Sequence, residues 1–194
     1  MSQYFSNDAV SSNRQKFSCK IRDRLFTFIT DNGVFCKEYL DHGTRVLLEN
    51  LPLEELSGKI LDIGCGYGPI GVVVGKLLNT SVDMVDVNLR AIDLAKDNLI
   101  LNSTQGRVFE SDAYQNISDV YDVIITNPPI RAGKQKVYEI VFGAKTHLAK
   151  NGKLFIVIRK DQGAKSLISD LEKEYTVSIV KKAQGFFIIQ CVLD

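Results

Sequence analysis

The chain alternates between short apolar stretches of strand character and amphipathic stretches of helical period. Residues 16–21 alternate, with Phe17, Cys19 and Ile21 on one face. Arg22, Asp23 and Arg24 interrupt the pattern and residues 25–30 resume it, which predicts a β-hairpin. Asp31-Asn32-Gly33 is a turn signal, and Val46, Leu47, Leu48 and Leu51 fall on a helix that Pro52 stops. Residues 60–63 (ILDI) form a short apolar strand. A glycine turn follows, then a helix whose Ile70, Val72, Val73, Val74, Leu77 and Leu78 leave little polar surface, as burial against a sheet requires. Residues 81–87 alternate into a second strand, and Asn88 stands where an N-cap belongs, ahead of Leu89, Ile92, Leu94, Ala95, Leu99 and Ile100. Strands at 108–109, 121–126 and 154–158, helices at 134–148 and 164–175, and a closing hairpin at 177–180 and 186–192 complete the pattern. Strands alternating with helices predict an α/β fold with a mainly parallel seven-stranded sheet covered on both faces, its last two strands antiparallel. Residues 1–30 form an N-terminal arm and hairpin appendage, with Tyr4 and Phe5 as a candidate staple; residues 31–194 form the main domain.

Composition narrows the class. A chain of 194 residues with 45% hydrophobic and 24% charged residues fits one globular domain with a full core. No apolar run reaches membrane-spanning length, and the polar start MSQYFSNDAV lacks the basic and apolar regions of a signal peptide, so a cytoplasmic location is expected. Cys19, Cys36, Cys65 and Cys191 lack C-x-x-C spacing, which points to packed thiols and to no metal site. The net charge of +1 hides a segregation. Residues 49–126 carry twelve acids against five bases, whereas residues 127–160 carry eight bases against Glu139 alone. The hairpin is also basic, with Arg14, Lys16, Lys20, Arg22 and Arg24. Clustered cations suit a phosphate backbone or a merely solvated surface.

The candidate chemistry sits at strand ends. Gly64, Gly66 and Gly68 follow the first central strand and allow a ligand close to backbone N–H groups. Gly66, Gly68 and Gly71 also match the dinucleotide pattern G-x-G-x-x-G, which keeps NAD open. Asp86 ends the next strand, twenty-two residues past Gly64, where an acid can accept from two ribose hydroxyls. Asp112 follows the third strand and suits either an exocyclic amine or a turn cap; the fourth strand runs into Asn127-Pro128-Pro129-Ile130. In such a sheet ligands lie beyond the C-terminal strand ends, so these groups converge on one cleft.

These motifs carry a resemblance. Asp62 two residues before a G-x-G-x-G turn, with an acid at the end of the next strand, resembles class I S-adenosylmethionine-dependent methyltransferases, which have a Rossmann-like fold. Asn127-Pro128-Pro129-Ile130 is similar to the (D/N)-P-P-(Y/F/W) motif of enzymes that methylate amine nitrogens. More narrowly, NPPIRAGK (127–134) and GVFCKEYLDHGT (33–44) resemble the ribosomal small-subunit methyltransferase C-like family, whose members methylate guanine N2 in 16S ribosomal RNA. The resemblance implies S-adenosylmethionine as cofactor. Gly64, Gly66 and Gly68 then approach its methionine part, with Asp62 holding the turn near the ammonium. It also implies Asp86 on the ribose, Asp112 on the adenine amine, Val87 and Ala113 flanking the ring, and Asn127 beside the methyl donor. Ribosomal RNA or the small ribosomal subunit is the implied partner; Phe35, Arg131 and Lys134 are the candidate substrate contacts, with docking through the hairpin, the basic stretch 131–160 or a second subunit. NAD becomes the minor alternative, because hydride transfer does not call for Asn-Pro-Pro.

The physical case for the tetrapeptide stands beside the resemblance. An aromatic exocyclic amine is a poor nucleophile because its lone pair is delocalised into the ring. Two acceptors that draw its N–H bonds out of the base plane assist attack on a sulfonium methyl. The Asn127 side-chain oxygen and the Pro128 carbonyl are the candidates, with both prolines fixing the backbone. Ile130 departs from the aromatic usual at its place, and Phe35 is the candidate to stack on the base, unless it is a core residue. His42 and His147 are expected to pack or cap. The best-known family members carry an extra copy of the domain, whereas this chain reads as the catalytic unit with a basic hairpin. Other amine or amide substrates (DNA adenine, a protein glutamine, a small molecule), a non-catalytic RNA-binding role, and monomer or homodimer all stay open.

Overall fold

The structure, a computed structural model, describes residues 11–193. Tyr4 and Phe5 lie outside the described residues. A two-stranded antiparallel ribbon, β1 (Gln15–Ile21) and β2 (Arg24–Thr30), is followed by α1 (His42–Asn50). The main sheet is built from β3 (Ile60–Ile63), β4 (Val82–Asp86), β5 (Val108–Glu110), β6 (Tyr121–Thr126), β7 (Leu148–Arg159), β8 (Thr176–Ala183) and β9 (Phe186–Val192). Four helices cover it: α2 (Pro69–Leu78), α3 (Leu89–Leu101), α4 (Lys134–Gly143) and α5 (Ala164–Leu171). The seven strands run in the order β5-β4-β3-β6-β7-β9-β8. Strands β3 to β7 pair in parallel, and β9 pairs antiparallel with both β7 and β8. The mixed sheet expected from the alternating pattern is present.

Strand alternation divides the core in two. Ile60, Met84, Val123, Ile125, Phe155 and Val157 face α1, α2, α3 and the ribbon; Leu61, Ile63, Val85, Ile124, Leu154 and Ile156 face α4 and α5. The first core also takes in Ile21, Phe26 and Phe28 of the ribbon, each at most 1% exposed, so the hairpin shares the core of the main domain. Its outer edge is tied down by two side chains four residues apart, Asn98 on α3 and Asn102 at its C-cap. The Asn98 amide pairs with both backbone groups of Ile29, and Asn102 does the same with Thr27. Asn98 also donates to the Tyr67 carbonyl at 2.8 Å, which joins the ribbon to the glycine turn. Two side-chain amides thus stand in for a neighbouring strand and blunt the edge of β2.

Several elements differ from the sequence expectation. Helix α5 stops at Leu171 where the pattern runs to 175, strand β8 continues to Ala183 where the pattern ends at 180, and α1, α4 and β7 have shifted bounds. Helix α1 begins at His42, earlier than its apolar stripe suggests, because Asp41 accepts from Thr44 N at 2.8 Å and caps it. Helix α4 stops at Gly143 and gives way to a 3-10 turn at Ala144–Thr146. Strand β7 then starts at Leu148, where Tyr121 N–H donates to the His147 carbonyl at 2.8 Å and the register shifts between Tyr121 and Val123. The 134–148 stretch therefore ends as strand, with Asn151 in the left-handed region (φ 60°) completing the irregular start. The hairpin turn is also unusual: Arg22 and Asp23 both have positive φ, 46° and 63°. This is the geometry of a tight two-residue hairpin turn, which normally favours Asn and Gly. Arg22 is held there by its guanidinium, which donates to the Leu48 and Leu51 carbonyls at the C-terminus of α1.

Asn98 is fully buried and serves three backbone groups, so Asn98→Ala should cost about 3 kcal/mol, at about 1 kcal/mol or more per orphaned group. Asn102→Ala, part-exposed, should cost about 1 kcal/mol. Urea denaturation measures both; equal small losses would remove the account of the ribbon's attachment.

Candidate active site

The C-terminal ends of β3, β4, β5 and β6 open on one edge of the sheet, and the singled-out residues gather there. The turn after β3 uses left-handed backbone at Gly64 (φ 71°), Gly66 (φ 56°) and Gly68 (φ 89°). Gly64 and Gly66 have open space where a Cβ would stand, so a ligand can lie against bare backbone. Gly68 instead packs inward, its place for a Cβ only 3.1 Å from Ala95 Cβ on α3. Four N–H groups of the turn are already engaged. Gly64 and Cys65 both donate to the Val85 carbonyl at 2.9 Å, Gly66 to Asp86 Oδ2 at 2.8 Å, and Gly68 to the Cys65 carbonyl at 3.0 Å. A pyrophosphate needs such N–H groups free, so the turn does not suit a dinucleotide, and Gly71 belongs to α2, its place for a Cβ filled by Met84.

Asp86 closes β4 and organises this corner. One carboxylate oxygen accepts from Gly66 N–H and the other from Asn88 N–H at 2.9 Å. Burial holds its carboxyl above the usual carboxylate range, against the pull of those N–H groups. Each oxygen keeps a lone pair for a further donor. Val87 beside it is half-buried, and Asn88 caps α3 as expected, accepting from Arg90 and Ala91 N–H. Asp62 lies beneath the turn and is fully buried. Its Oδ2 accepts from Gly71 N–H at 2.9 Å, and its Oδ1 has no partner among the described residues. Burial pushes its carboxyl up to about 7, with the Asp86 charge adding to the effect. With no exposed surface, Asp62 supports the turn from behind.

After β5, Ala113 is buried with φ 47°, and Asp112 is half-exposed. Asp112 Oδ1 accepts from Lys136 Nζ of α4 at 2.7 Å, a partner the sequence did not disclose. Beyond β6, Thr126 is fully buried and its hydroxyl donates to the Ile63 carbonyl at 2.9 Å, which joins the ends of β6 and β3. Asn127 comes next. Its Nδ2 donates to Asp41 Oδ2 at 2.8 Å and to Thr44 Oγ1 at 2.9 Å, and its Oδ1 takes no hydrogen bond from the described residues. Pro129 (φ −75°, ψ 80°) centres an inverse γ-turn in which Ile130 N–H donates to the Pro128 carbonyl at 2.9 Å. One lone pair of that carbonyl is engaged and one is left. Ile130 is half-buried and packs towards the α4 side of the core, while Arg131 is exposed and Lys134 rests 4.6 Å above the Tyr138 ring.

Phe35 is 43% exposed, which excludes a core role. Its loop is fixed at both ends of the site. The Gly33 carbonyl accepts from Asn88 Nδ2 at 2.9 Å and the Asn32 carbonyl from Arg90 at 2.8 Å, while Cys36 Sγ lies 3.8 Å from Asp41 Oδ1. Tyr39 on the same loop, 62% exposed, is an aromatic that sequence reasoning passed over. So were Asp41 and Thr44 as partners of Asn127; the only signal was an N-cap acid three residues before a Thr. His42 packs on Phe186, ring centroids 5.4 Å apart, and His147 stacks on Tyr114 at 4.6 Å. Of the hairpin cations, Arg22 caps α1 and Arg14 pairs with Asp97 at 2.8 Å, which leaves the ribbon less free charge than its sequence suggests. Among the described residues no group of three or more His, Cys, Asp or Glu is gathered for a metal ion, and no helix is long and apolar enough to cross a membrane.

Comparison with known proteins places the fold. The family profile described as "Methyltransferase small domain" matches residues 25–190. A Bacillus subtilis protein named "Uncharacterized protein YbxB" is 41% identical over 192 residues, covering 96% of both chains. The ribosomal RNA small subunit methyltransferase C of Psychromonas ingrahamii is 34% identical over 82% of this chain and 46% of its own length, so the chain spans about half of that relative. Among solved structures, the T. thermophilus 16S rRNA N2 G1207 methyltransferase in complex with AdoMet and guanosine superimposes with a TM-score of 0.85. That match, at 23% identity, covers 96% of this chain and 52% of that one, and shows a shared fold.

Asp62 ties this corner to pH. Its folded-state pKa is raised, so its contribution to stability is complete below the unfolded value near 4 and is lost as pH rises through about 7. Between pH 4 and pH 7.5 the wild type should lose several degrees of Tm relative to Asp62→Asn, which keeps the acceptor for Gly71 N–H. Parallel Tm–pH curves for the two proteins would contradict the burial of an ionisable carboxyl there.

Proposed function

Because the chain belongs to the methyltransferase small domain family, we propose that it moves a methyl group from S-adenosylmethionine to an exocyclic amine of RNA, with guanine N2 of ribosomal RNA as the acceptor. The observation that carries this reading is the Asn127 amide. Both hydrogens of its Nδ2 are engaged by Asp41 and Thr44, so its Oδ1 is presented as an acceptor next to the rigid Pro128 carbonyl. An acceptor pair of this kind suits an amine whose lone pair must be freed from an aromatic ring. It does not suit a carbon or hydroxyl nucleophile as well, because neither offers two N–H donors.

The residues present fit the cofactor. The open backbone at Gly64 and Gly66 accommodates a ligand without phosphate, Asp86 retains acceptor capacity for ribose hydroxyls, and Val87 and Ala113 offer apolar flanks for an adenine. Asp112 is the acceptor for the adenine amine, shared with Lys136. When bound, S-adenosylmethionine supplies an electrophilic methyl on a sulfonium. The protein's own work is alignment and electrostatic preorganisation. Asn127 Oδ1 and the Pro128 carbonyl would orient the amine; the C–N bond would form as the methyl–sulfur bond breaks, and the amine proton, acidic once the nitrogen is alkylated, would pass to water without a strong base. Phe35, with Tyr39 on the same exposed loop, offers a stacking face for an unpaired base.

RNA as the acceptor is supported by charge on the far side of Asn127. Arg131 and Lys134 follow β6, Arg159 and Lys160 end β7, and Lys181 and Lys182 end β8, all at the same sheet edge. The one acid among them on these segments, Asp161, pairs with Arg159 at 2.7 Å. This flank fits a polyanion that presents its base inward. The names of the half-length-matched relatives point the same way, and a cytoplasmic location follows from a ribosomal substrate.

Incubation with methyl-labelled S-adenosylmethionine and total RNA, DNA or protein should label ribosomal RNA, as N2-methylguanosine after nucleoside digestion. Label confined to DNA or protein would transfer the reading to adenine or glutamine, and RNA binding without turnover would make the chain a non-catalytic factor. Asn127→Ala should lower kcat about 100-fold or more while the cofactor Kd, read by calorimetry, changes by less than about threefold. Replacing Arg131, Lys134 and Lys160 by Gln should reduce the slope of log K for RNA against log salt by about 2, at roughly 0.7 per phosphate contact. An unchanged slope would remove this flank from the RNA interface.

A further inference from the structure

We infer that Asp41, assisted by Thr44, is the positioning residue that decides which end of the Asn127 amide faces the substrate; the inference rests on the proposed amine methylation. A carboxylate has only acceptor atoms, so the Asn127 group 2.8 Å from Asp41 Oδ2 is the NH2. Thr44 Oγ1 takes the second proton at 2.9 Å. With both donors bound behind it, the amide cannot turn over, and Oδ1 alone is left to meet a substrate N–H. Without Asp41 the two orientations of the amide differ little, and the flipped form offers an amine substrate a donor where it needs an acceptor.

The anchor is rigid for a local reason. The same Asp41 oxygen that holds Asn127 also accepts from Thr44 N–H at 2.8 Å and so caps α1. Residues 86 positions apart in sequence are thereby fixed to one helix terminus. The other oxygen of Asp41 lies 3.8 Å from Cys36 Sγ, on the loop that carries Phe35. One side chain therefore sets the start of α1, the acceptor amide and one end of the exposed aromatic loop.

Three variants separate positioning from capping. Asp41→Ser keeps an N-cap oxygen for Thr44 N–H but is too short to serve Asn127 as well. Its Tm should stay within about 2 °C of wild type, while kcat falls about tenfold or more and KM for RNA and Kd for S-adenosylmethionine change by less than about threefold. Asp41→Asn carries a carbonyl oxygen where Oδ2 stands and should restore most of the kcat that Asp41→Ser loses. Thr44→Val keeps the volume, removes one acceptor, and should lower kcat roughly threefold to tenfold, which tests the idea even if Asp41→Ser folds poorly. An assay independent of any substrate accompanies these: in protein labelled with 15N-asparagine, the Asn127 side-chain NH2 protons should exchange slowly in wild type and Asp41→Asn and rapidly in Asp41→Ser. Fast exchange in the wild type, or wild-type kcat in both Asp41→Ser and Thr44→Val, overturns the inference. If wild-type enzyme methylates no RNA while the exchange pattern is as described, the substrate assignment fails and the anchoring stands.

Discussion

Parallel strands that stop at a common edge set the terms for everything else in this molecule. Strands β3, β4 and β6 end side by side, and each chain must leave the sheet there with its backbone groups satisfied. The Val85 carbonyl accepts from two N–H groups of the glycine turn, Asp86 accepts from one in that turn and one at the start of α3, and the Thr126 hydroxyl donates to the Ile63 carbonyl. These bonds hold the turn shut against phosphate and leave bare glycine backbone, a carboxylate with spare lone pairs and an amide oxygen around one opening. The site is made of the groups that end the strands, which is why it lies where the sheet stops.

The same constraint explains how hairpin and cleft are joined. The ribbon has an open edge, and Asn98 and Asn102 close it with side-chain amides. Asn98 reaches one step further, to the Tyr67 carbonyl in the glycine turn. The ribbon's position is thus tied to the glycine turn, while Arg22 ties its tip to the C-terminus of α1. Helix α1 in turn carries Asp41 at its start and so reaches Asn127. The basic residues of the hairpin act partly as braces: Arg22 neutralises a helix terminus instead of waiting for a ligand.

What could be read from sequence was local. Alternation gave the ribbon, glycine with positive φ gave the turn, and Asn-Pro-Pro declared itself because two prolines fix a carbonyl whatever surrounds it. Asn88 as an N-cap was legible because capping is decided within three residues. What was hidden depended on residues far apart. The bond between Asn127 and Asp41 spans 86 positions, that between Asp112 and Lys136 spans 24, and neither has a spacing signature. Asp62 and Gly68 carried the right residue types, but only the packing reveals that one supports the turn from behind and the other admits α3. The early start of β7 escaped notice because residues 148–150 continue a helical pattern and pair as strand only once Tyr121 lies alongside.

The central claim is that the Asn127 oxygen meets an aromatic amine beside the methyl donor. A crystal structure with S-adenosylhomocysteine and guanosine tests it directly. The account predicts the guanine exocyclic nitrogen about 3 Å from Asn127 Oδ1, the base against Phe35, and the cofactor sulfur facing that nitrogen. A guanosine bound with its O6 carbonyl or a ribose hydroxyl towards the sulfur, or an Asn127 amide turned with its NH2 to the base, would contradict it.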